Sequence, residues 1–257
     1  MKIVSKTSSN APDILSALLT EIIEEGIKDD ASLIHSGRNK IWRKEISGMT
    51  IAIKIYGYSP LKSIIYSIRK TKARRAFENA RALIARGIAT PFPLAFVEKR
   101  GFINRLTGSM YISMYEETEP LEKYIDYGDR LVLDEFARFT ALLHSKGILH
   151  HDLNATNVRV TVKDTKVTFS LIDINRMKFA SKAVSFSLQE KLENLTRFSN
   201  FDTSYRHFIT TYIKYSNLPT EIIKTALEIK KNHDRKWHNR QRRKNFFKKL
   251  FHLKLNE

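Results

Sequence analysis

An α+β fold follows from three features of the sequence. Before residue 116, short apolar segments alternate with polar positions. The clearest is "MTIAIKIY" (49–56), an Ile-rich run with the period of a half-buried strand. After about residue 120 the patterning becomes helical, best seen in "LVLDEFARFTALLHSKG", an amphipathic stretch closed by Gly147. Within this helical half lie two short apolar runs, "VRVTV" and "VTFSLIDI", separated by "KDTK" and read as a hairpin. These features predict a small antiparallel-sheet lobe over 1–116 and a mainly helical lobe over 117–257.

In chain order, a short helix is expected at about 12–26, then strands near 31–35, 40–46 and 50–56. A charged helical stretch over about 60–87 ends at Gly87, and "IATPFPLAFVE" leads into strands near 93–98 and 109–115. The segment "SMYEETEPL" is expected to link the lobes, with extended backbone at about 114–117.

Composition limits the chemistry. There is no cysteine, which excludes disulfides, thiolate metal sites and cysteine nucleophiles. No apolar run reaches the roughly 18 residues of a spanning helix, and "MKIVSKTSSNAPD" turns polar before a signal-peptide core forms, so a cytoplasmic location is expected. The formal charge is +18, and a field of that sign favours polyanions: nucleic acid, anionic lipid or phosphorylated glycan. Eleven Lys and Arg against the single acid Asp234 fall between Lys230 and Lys254, so much of the excess is local.

The stretch "ILHHDLNATNVRV" (148–160) breaks an apolar run with His-His-Asp and places an Asn five residues after that Asp. Phosphoryl transfer requires an Asp to orient and deprotonate a hydroxyl, oxygen ligands for Mg²⁺, and a Lys on the phosphates. His150, Asp152 and Asn157 match the kinase pattern H-x-D-x-x-x-x-N, and Asp173 in "FSLIDIN" matches its metal-binding Asp. Lys54, at the end of "IAIK", matches the phosphate-contacting lysine, and Glu78 on the next helix its ion-pair partner. The hairpin would bring Asp152, Asn157 and Asp173 to one end. His150 is expected to bond backbone rather than take part in chemistry.

Beyond these spacings, "GILHHDLNATNVRV…FSLIDINRMKF", with "ENARALIARGIATPFPLAFVE" upstream and "LENLTRF" downstream, resembles the lipopolysaccharide kinase family over about residues 33–200. These are protein-kinase-like enzymes that phosphorylate inner-core sugars, Kdo or heptose, of Gram-negative outer-membrane lipid. The resemblance implies a two-lobed kinase-like fold using ATP and Mg²⁺ on the lipopolysaccharide core glycolipid. Asp152 would be the catalytic base, Asn157 and Asp173 metal ligands, and Lys54 a phosphate contact positioned by Glu78. His151 stands where protein kinases carry an Arg that reads an activation-loop phosphate, and Asn154 where they carry a Lys. Asp-Ile-Asn replaces Asp-Phe-Gly, and no Ala-Pro-Glu follows. These departures favour a small hydroxylic acceptor over a peptide.

The loop "IHSGRNKIWRKE" offers the nucleotide one glycine, Gly37, where the kinase pattern has several. A catalytically silent kinase-like binding module therefore stands as the alternative, with a protein kinase behind it. In the tail, apolar residues from Phe246 to Leu255 at spacings of three and four, among Arg242, Arg243, Lys244, Lys248 and Lys249, suggest an amphipathic helix. Residues 237–255 are thus expected either to dock on the helical lobe or to touch an anionic membrane, which would make the protein peripheral on the inner membrane. Nucleic acid is the least favoured partner.

Overall fold

The computed structural model describes residues 2–8, 19, 21–22, 26–27, 31–164, 166–181, 185–198 and 203–253, with side chains up to residue 246. The chain forms two compact units, Met1–Thr118 with Ser170–Met177, and Glu119–Phe169 with Lys178–Glu257.

The first unit is built on a six-stranded antiparallel sheet of order β1-β5-β6-β4-β3-β2. Its strands are β1 (Lys2–Thr7), β2 (Ser32–His35), β3 (Asn39–Ile46), β4 (Met49–Tyr56), β5 (Pro93–Arg100) and β6 (Leu106–Met114). β4 and β6 are central, with Ile53 opposite Ile112, and the apolar face gathers Ile51, Leu94, Ala95, Val97 and Met110 around that pair. Each buried Ile, Leu, Val or Met among them contributes about 1.5–3 kcal/mol. β1 pairs with β5 from Lys2↔Arg100 to Thr7↔Ala95 and was not foreshadowed by the pattern of "KIVSKT". Of the helix expected at about 12–26, Leu19 and residues 21–22 are helical, Gly26 is not, and the remainder lies outside the described residues.

The charged stretch over 60–87 is two helices, α1 (Pro60–Ile68) and α2 (Lys72–Ile84). Thr71 explains the break, because its extended backbone starts α2 while its hydroxyl accepts the Arg74 N–H at 3.1 Å. The same hydroxyl donates to Glu98 Oε1 at 2.7 Å, and Glu98 is buried against Arg100 at 2.6 Å. α2 faces the sheet with Ala73, Ala76, Phe77, Ala80 and Leu83, and the Phe77 and Phe96 rings lie 5.4 Å apart.

The second unit contains β7 (Glu119–Pro120), α3 (Leu121–Asp126), α4 (Arg130–Ser145), β8 (Ile148–His150), β9 (Val158–Lys163), α5 (Leu188–Asn194), α6 (Thr203–Tyr215) and α7 (Ile222–Leu253). Two strands, β10 (Lys166–Leu171) and β11 (Met177–Phe179), lead into and out of the Ser170–Met177 segment. Asp129 caps α4, which buries Val132, Leu133, Phe136, Ala137, Thr140 and Leu143. Phe136, Phe198 and Phe208 form an aromatic cluster with centroid separations of 4.2–5.6 Å. Gly147 ends the α4 segment at φ 66, and a Cβ there would stand 2.9 Å from Ala180 Cβ.

His144 is buried at the end of α4. Its Nδ1 bonds Tyr212 Oη at 2.7 Å and its Nε2 bonds Asn194 Oδ1 at 3.1 Å. Burial, reinforced by the Lys191 charge, pushes its pKa down to about 4 against the Asn194 bond. The folded pKa lies below the unfolded 6.5, so its contribution is complete above pH 6.5 and is lost as pH falls toward 4, by at most about 3 kcal/mol. Thermal melts should therefore show the midpoint falling between pH 6.5 and 5, and His144→Asn should remove that part of the slope. An unchanged slope in the variant would assign the titration elsewhere.

Candidate active site

In the first unit, the alternation of β4 turns Lys54 away from the Ile51–Ile53 core, and its Nζ donates to Asp173 Oδ1 at 2.8 Å. Asp173 sits at φ 52, ψ 40, a left-handed conformation that a short acidic residue tolerates. Three contacts hold its loop. Asn175, at the place of glycine in Asp-Phe-Gly, donates to Asp173 Oδ1 at 2.6 Å; Asn79 Nδ2 donates to Ile174 O at 2.7 Å; and Thr90 Oγ1 donates to Leu171 O at 2.7 Å.

Lys54 is thus joined to Asp173 and not to Glu78. Glu78 lies one residue past the buried Phe77, toward solvent, and accepts from Lys70 at 2.8 Å and Arg74 at 2.9 Å. Those two bonds hold its carboxyl below its ordinary pKa, although desolvation opposes them. Asn79, the next residue along α2, is the one that reaches the Asp173 loop.

Gly37 lies in the β2–β3 connection, where a Cβ would come 3.3 Å from His35 Nε2. A second glycine fixes this connection more strictly: Gly57 N–H donates to Arg38 O at 3.1 Å, and a Cβ at 57 would fall 2.2 Å from that oxygen. Gly57→Ala must displace the connection, and it should lower the thermal midpoint while the sheet persists; thermal melts with circular dichroism check both.

Lys72 opens α2 with its Nζ 5.7 Å from the Tyr56 ring centroid and 5.3 Å from that of Tyr58. Its pKa is pushed down to about 8, first by desolvation and then by Arg38 and Lys62, with Arg176 adding to them and Asp173 opposing. Lys72 therefore feels Arg38, Lys62 and Arg176 as well as Asp173, the carboxylate that Lys54 contacts. Mutual repulsion of this kind is relieved by a bound polyanion.

In the second unit, Asp152 and Asn157 share the turn between β8 and β9. The Asp152 N–H donates to His150 Nδ1 at 3.1 Å, so the buried His150 ring bonds backbone as expected. Asn157 Nδ2 donates to Asp152 O at 2.9 Å, which turns its amide oxygen, the cation-binding end, the other way. Asn154 caps the turn, its Oδ1 accepting from Thr156 and Asn157 N–H, each at 3.1 Å. Asn194 Nδ2 holds His150 O at 2.7 Å, which links the turn to the His144–Tyr212 pair. Arg197 was not foreseen: its Nη1 lies 3.2 Å from Asp152 Oδ1. It stands in "LENLTRF", downstream of the motif, and only the fold brings it near.

Asp152 and Arg197 also line a cleft of about 1030 Å³ within the second unit. Glu122 and Asp126 of α3 form an acidic wall, and Trp237, Arg240 and Lys244 of α7 a basic and aromatic one. α7 is anchored below by Lys230, buried with its Nζ on Thr196 O at 2.9 Å and Asp234 at 2.8 Å. The basic tail is therefore the continuation of a 32-residue helix that starts at Ile222. Phe246 is exposed, whereas the side chains beyond it lie outside the described residues.

An antiparallel sheet carrying a Lys–Asp pair, and a mainly helical unit carrying an Asp–Asn turn, define a protein-kinase-like protein. A solved structure of WaaP in complex with acyl carrier protein matches with a TM-score of 0.62 over 93% of this chain and 99% of that one, at 18% identity. The Rio2 kinase–ADP/Mg²⁺–phosphoaspartate complex from Chaetomium thermophilum matches at 0.49 and 16% identity, over 88% of this chain and 71% of that one. The sequence model of the lipopolysaccharide kinase (Kdo/WaaP) family matches residues 29–213, more than half of the chain, and the protein belongs to that family. No curated protein matches the sequence.

Proposed function

We propose that the protein is a Mg-ATP-dependent kinase that phosphorylates a sugar hydroxyl, of Kdo or heptose, on the lipopolysaccharide inner core. The observation that carries this reading is the Lys54–Asp173 pair, with Lys72 acted on by the charges of Asp173, Arg38 and Arg176, a donor set suited to a metal-bound polyphosphate. Family membership supports the acceptor class.

Lys54, with Lys72 and Arg38, would hold the nucleotide phosphates under the connection that carries Gly37, and Asp173 and Asn157 would hold Mg²⁺. Bound Mg-ATP supplies the transferable phosphoryl group and shields its charge. The Met114 and Tyr115 N–H groups are taken by Phe92 O and Thr50 O, so these two would not be the donors to a bound adenine edge. Asp152 would orient the acceptor hydroxyl and take its proton as that oxygen bonds to the γ-phosphorus of ATP and the bond from phosphorus to the bridging oxygen breaks, releasing ADP. Arg197 places a cation beside that carboxylate, a charge that Asn154 does not supply. Glu78 reaches Lys54 only by exchanging Lys70 and Arg74, so Glu78→Gln should cost Mg-ATP affinity far less than loss of Asp173. The second-unit cleft fits a charged sugar: acidic residues for hydroxyls, Trp237 for a ring face, and Arg240 and Lys244 for an anionic substituent. The protein would work at the cytoplasmic face of the inner membrane, where such an acceptor is within reach.

The test is incubation with γ-labelled ATP, Mg²⁺ and deacylated lipopolysaccharide core. Label in the glycan supports the reading; Mg-ATP binding with no label in any core glycan turns it to a silent binding module. The lysine adds a pH signature. A bound polyanion favours protonated Lys72, so Mg-ATP affinity should be full below pH 8 and fall about tenfold above it. A flat profile to pH 9.5 would remove Lys72 from the phosphate site.

A further inference from the structure

Helix α1 has the sequence Pro-Leu-Lys-Ser-Ile-Ile-Tyr-Ser-Ile, with apolar Leu61, Ile64, Ile65 and Ile68 at i, i+3, i+4 and i+7. Such a stripe ordinarily faces a core. Here it faces outward: Leu61 is 70% exposed, Ile64 58% and Ile68 89%, while the buried residue of the helix is Ser63, whose hydroxyl donates to Leu106 O. Exposure this high means that the side chains stand out from the surface instead of lining a groove.

A second apolar element is fixed beside the first. The turn Phe102–Asn104 between β5 and β6 carries Phe102 at 89% and Ile103 at 80% exposure. Ile103 takes φ 52, a left-handed conformation that is costly for a β-branched residue and is kept here by its surroundings. Asn104 Nδ2 donates to Ser67 O at 2.7 Å, and the Arg100 guanidinium bonds both Tyr66 O at 3.2 Å and Asn104 O at 3.3 Å. Arg100 is itself clamped by buried Glu98, so α1 and the turn are held as one patch.

The exposed charge beside this patch is positive, the acids nearest in sequence being Glu98, buried on Arg100, and Glu78, paired with Lys70 and Arg74. Residues 46–77 hold seven Lys and Arg and no acid, and residues 99–115 hold three and no acid. Lys62, Arg69 and Arg105 are exposed beside the apolar side chains. A second copy of the chain would set these cations against each other, and nucleic acid would leave the isoleucines in water. Protruding apolar side chains among cations suit a bilayer with anionic headgroups.

We propose that α1 and the Phe102–Asn104 turn form a membrane-docking surface, with Leu61, Ile64, Ile68, Phe102 and Ile103 entering the interfacial layer of an anionic bilayer and Lys62, Arg69 and Arg105 meeting lipid phosphates. This surface belongs to the first unit and does not depend on the kinase reading. It also moves the principal lipid contact away from the basic tail.

The test is co-sedimentation of the full chain with phosphatidylethanolamine vesicles containing about one-third phosphatidylglycerol, and with phosphatidylcholine vesicles as the neutral reference. Wild type should bind the anionic vesicles and bind the neutral ones weakly. Ile68→Gln with Phe102→Gln should weaken anionic binding at least about tenfold without changing the thermal midpoint, because both residues are solvent-exposed. Arg242→Gln with Arg243→Gln in the tail should change it less than about threefold. Undiminished binding by the Ile68/Phe102 variant, or binding lost only in the tail variant, would overturn the proposal. So would absence of vesicle binding together with a wild-type dimer that the Ile68/Phe102 variant dissociates, which would make the patch a protein interface.

Discussion

Asp152→Asn is expected to lower phosphate transfer at least about 10²-fold while leaving Mg-ATP affinity nearly unchanged. The substitution keeps the shape of the side chain and its capacity to hydrogen-bond a hydroxyl, but removes the charge and the proton acceptor. The turn should survive, because two bonds that hold it at this residue use backbone: Asp152 N–H to His150 Nδ1, and Asp152 O from Asn157. Arg197 loses an ionic partner, but the pair is partly exposed and contributes little to stability. Transfer assays corrected for folded fraction by circular dichroism decide the point. Wild-type turnover in folded Asp152→Asn protein would make this Asp a turn residue only.

The second large effect is expected at Asp173. Asp173→Ala should abolish the Mg-ATP-induced rise in melting temperature and lower transfer at least about 10³-fold. One carboxylate oxygen accepts from both Lys54 and Asn175, so alanine also leaves a half-buried lysine without that partner and makes the ligand-free protein modestly less stable. Asp173→Asn separates the two effects. It retains an oxygen for Lys54 and Asn175 but not the charge that Mg²⁺ requires, so it should melt near wild type and still show no Mg-ATP shift. A full shift in either variant would place the metal on other residues.

The elements legible in the sequence were those whose periodicity is local: the Ile-rich β4, the amphipathic α4 and the β9–β10 hairpin. β1 was not, since "KIVSKT" has mostly exposed side chains and becomes a strand only through pairing with β5, 88 to 98 residues away. The α1–α2 break turned on Thr71, whose cap acquires its meaning from the buried Glu98 beneath it. For the candidate site, spacing identified residue types but not their partners. Glu78 and Asn79 are neighbours on one helix, and which of them meets the Asp173 loop depends on about 100° of helix rotation, finer than a motif resolves. Lys72 looked like one charge in a charged stretch, and Arg197 lies 45 residues from Asp152. Both became visible only when the fold brought distant cations to a carboxylate.

The outward stripe of α1 shows the same limit from the other side. Its apolar spacing reads as a core-facing helix, and exposure of the individual residues is needed to reverse that reading.

The central claim, phosphoryl transfer to a sugar hydroxyl with Asp152 as the base, is tested most directly by phosphorus NMR of deacylated lipopolysaccharide core after incubation with the protein and Mg-ATP. A new phosphate monoester coupled to a sugar proton, formed by wild type and at least about 10²-fold more slowly by Asp152→Asn, is the predicted result. Inorganic phosphate alone, or a monoester formed equally fast by the variant, would contradict it.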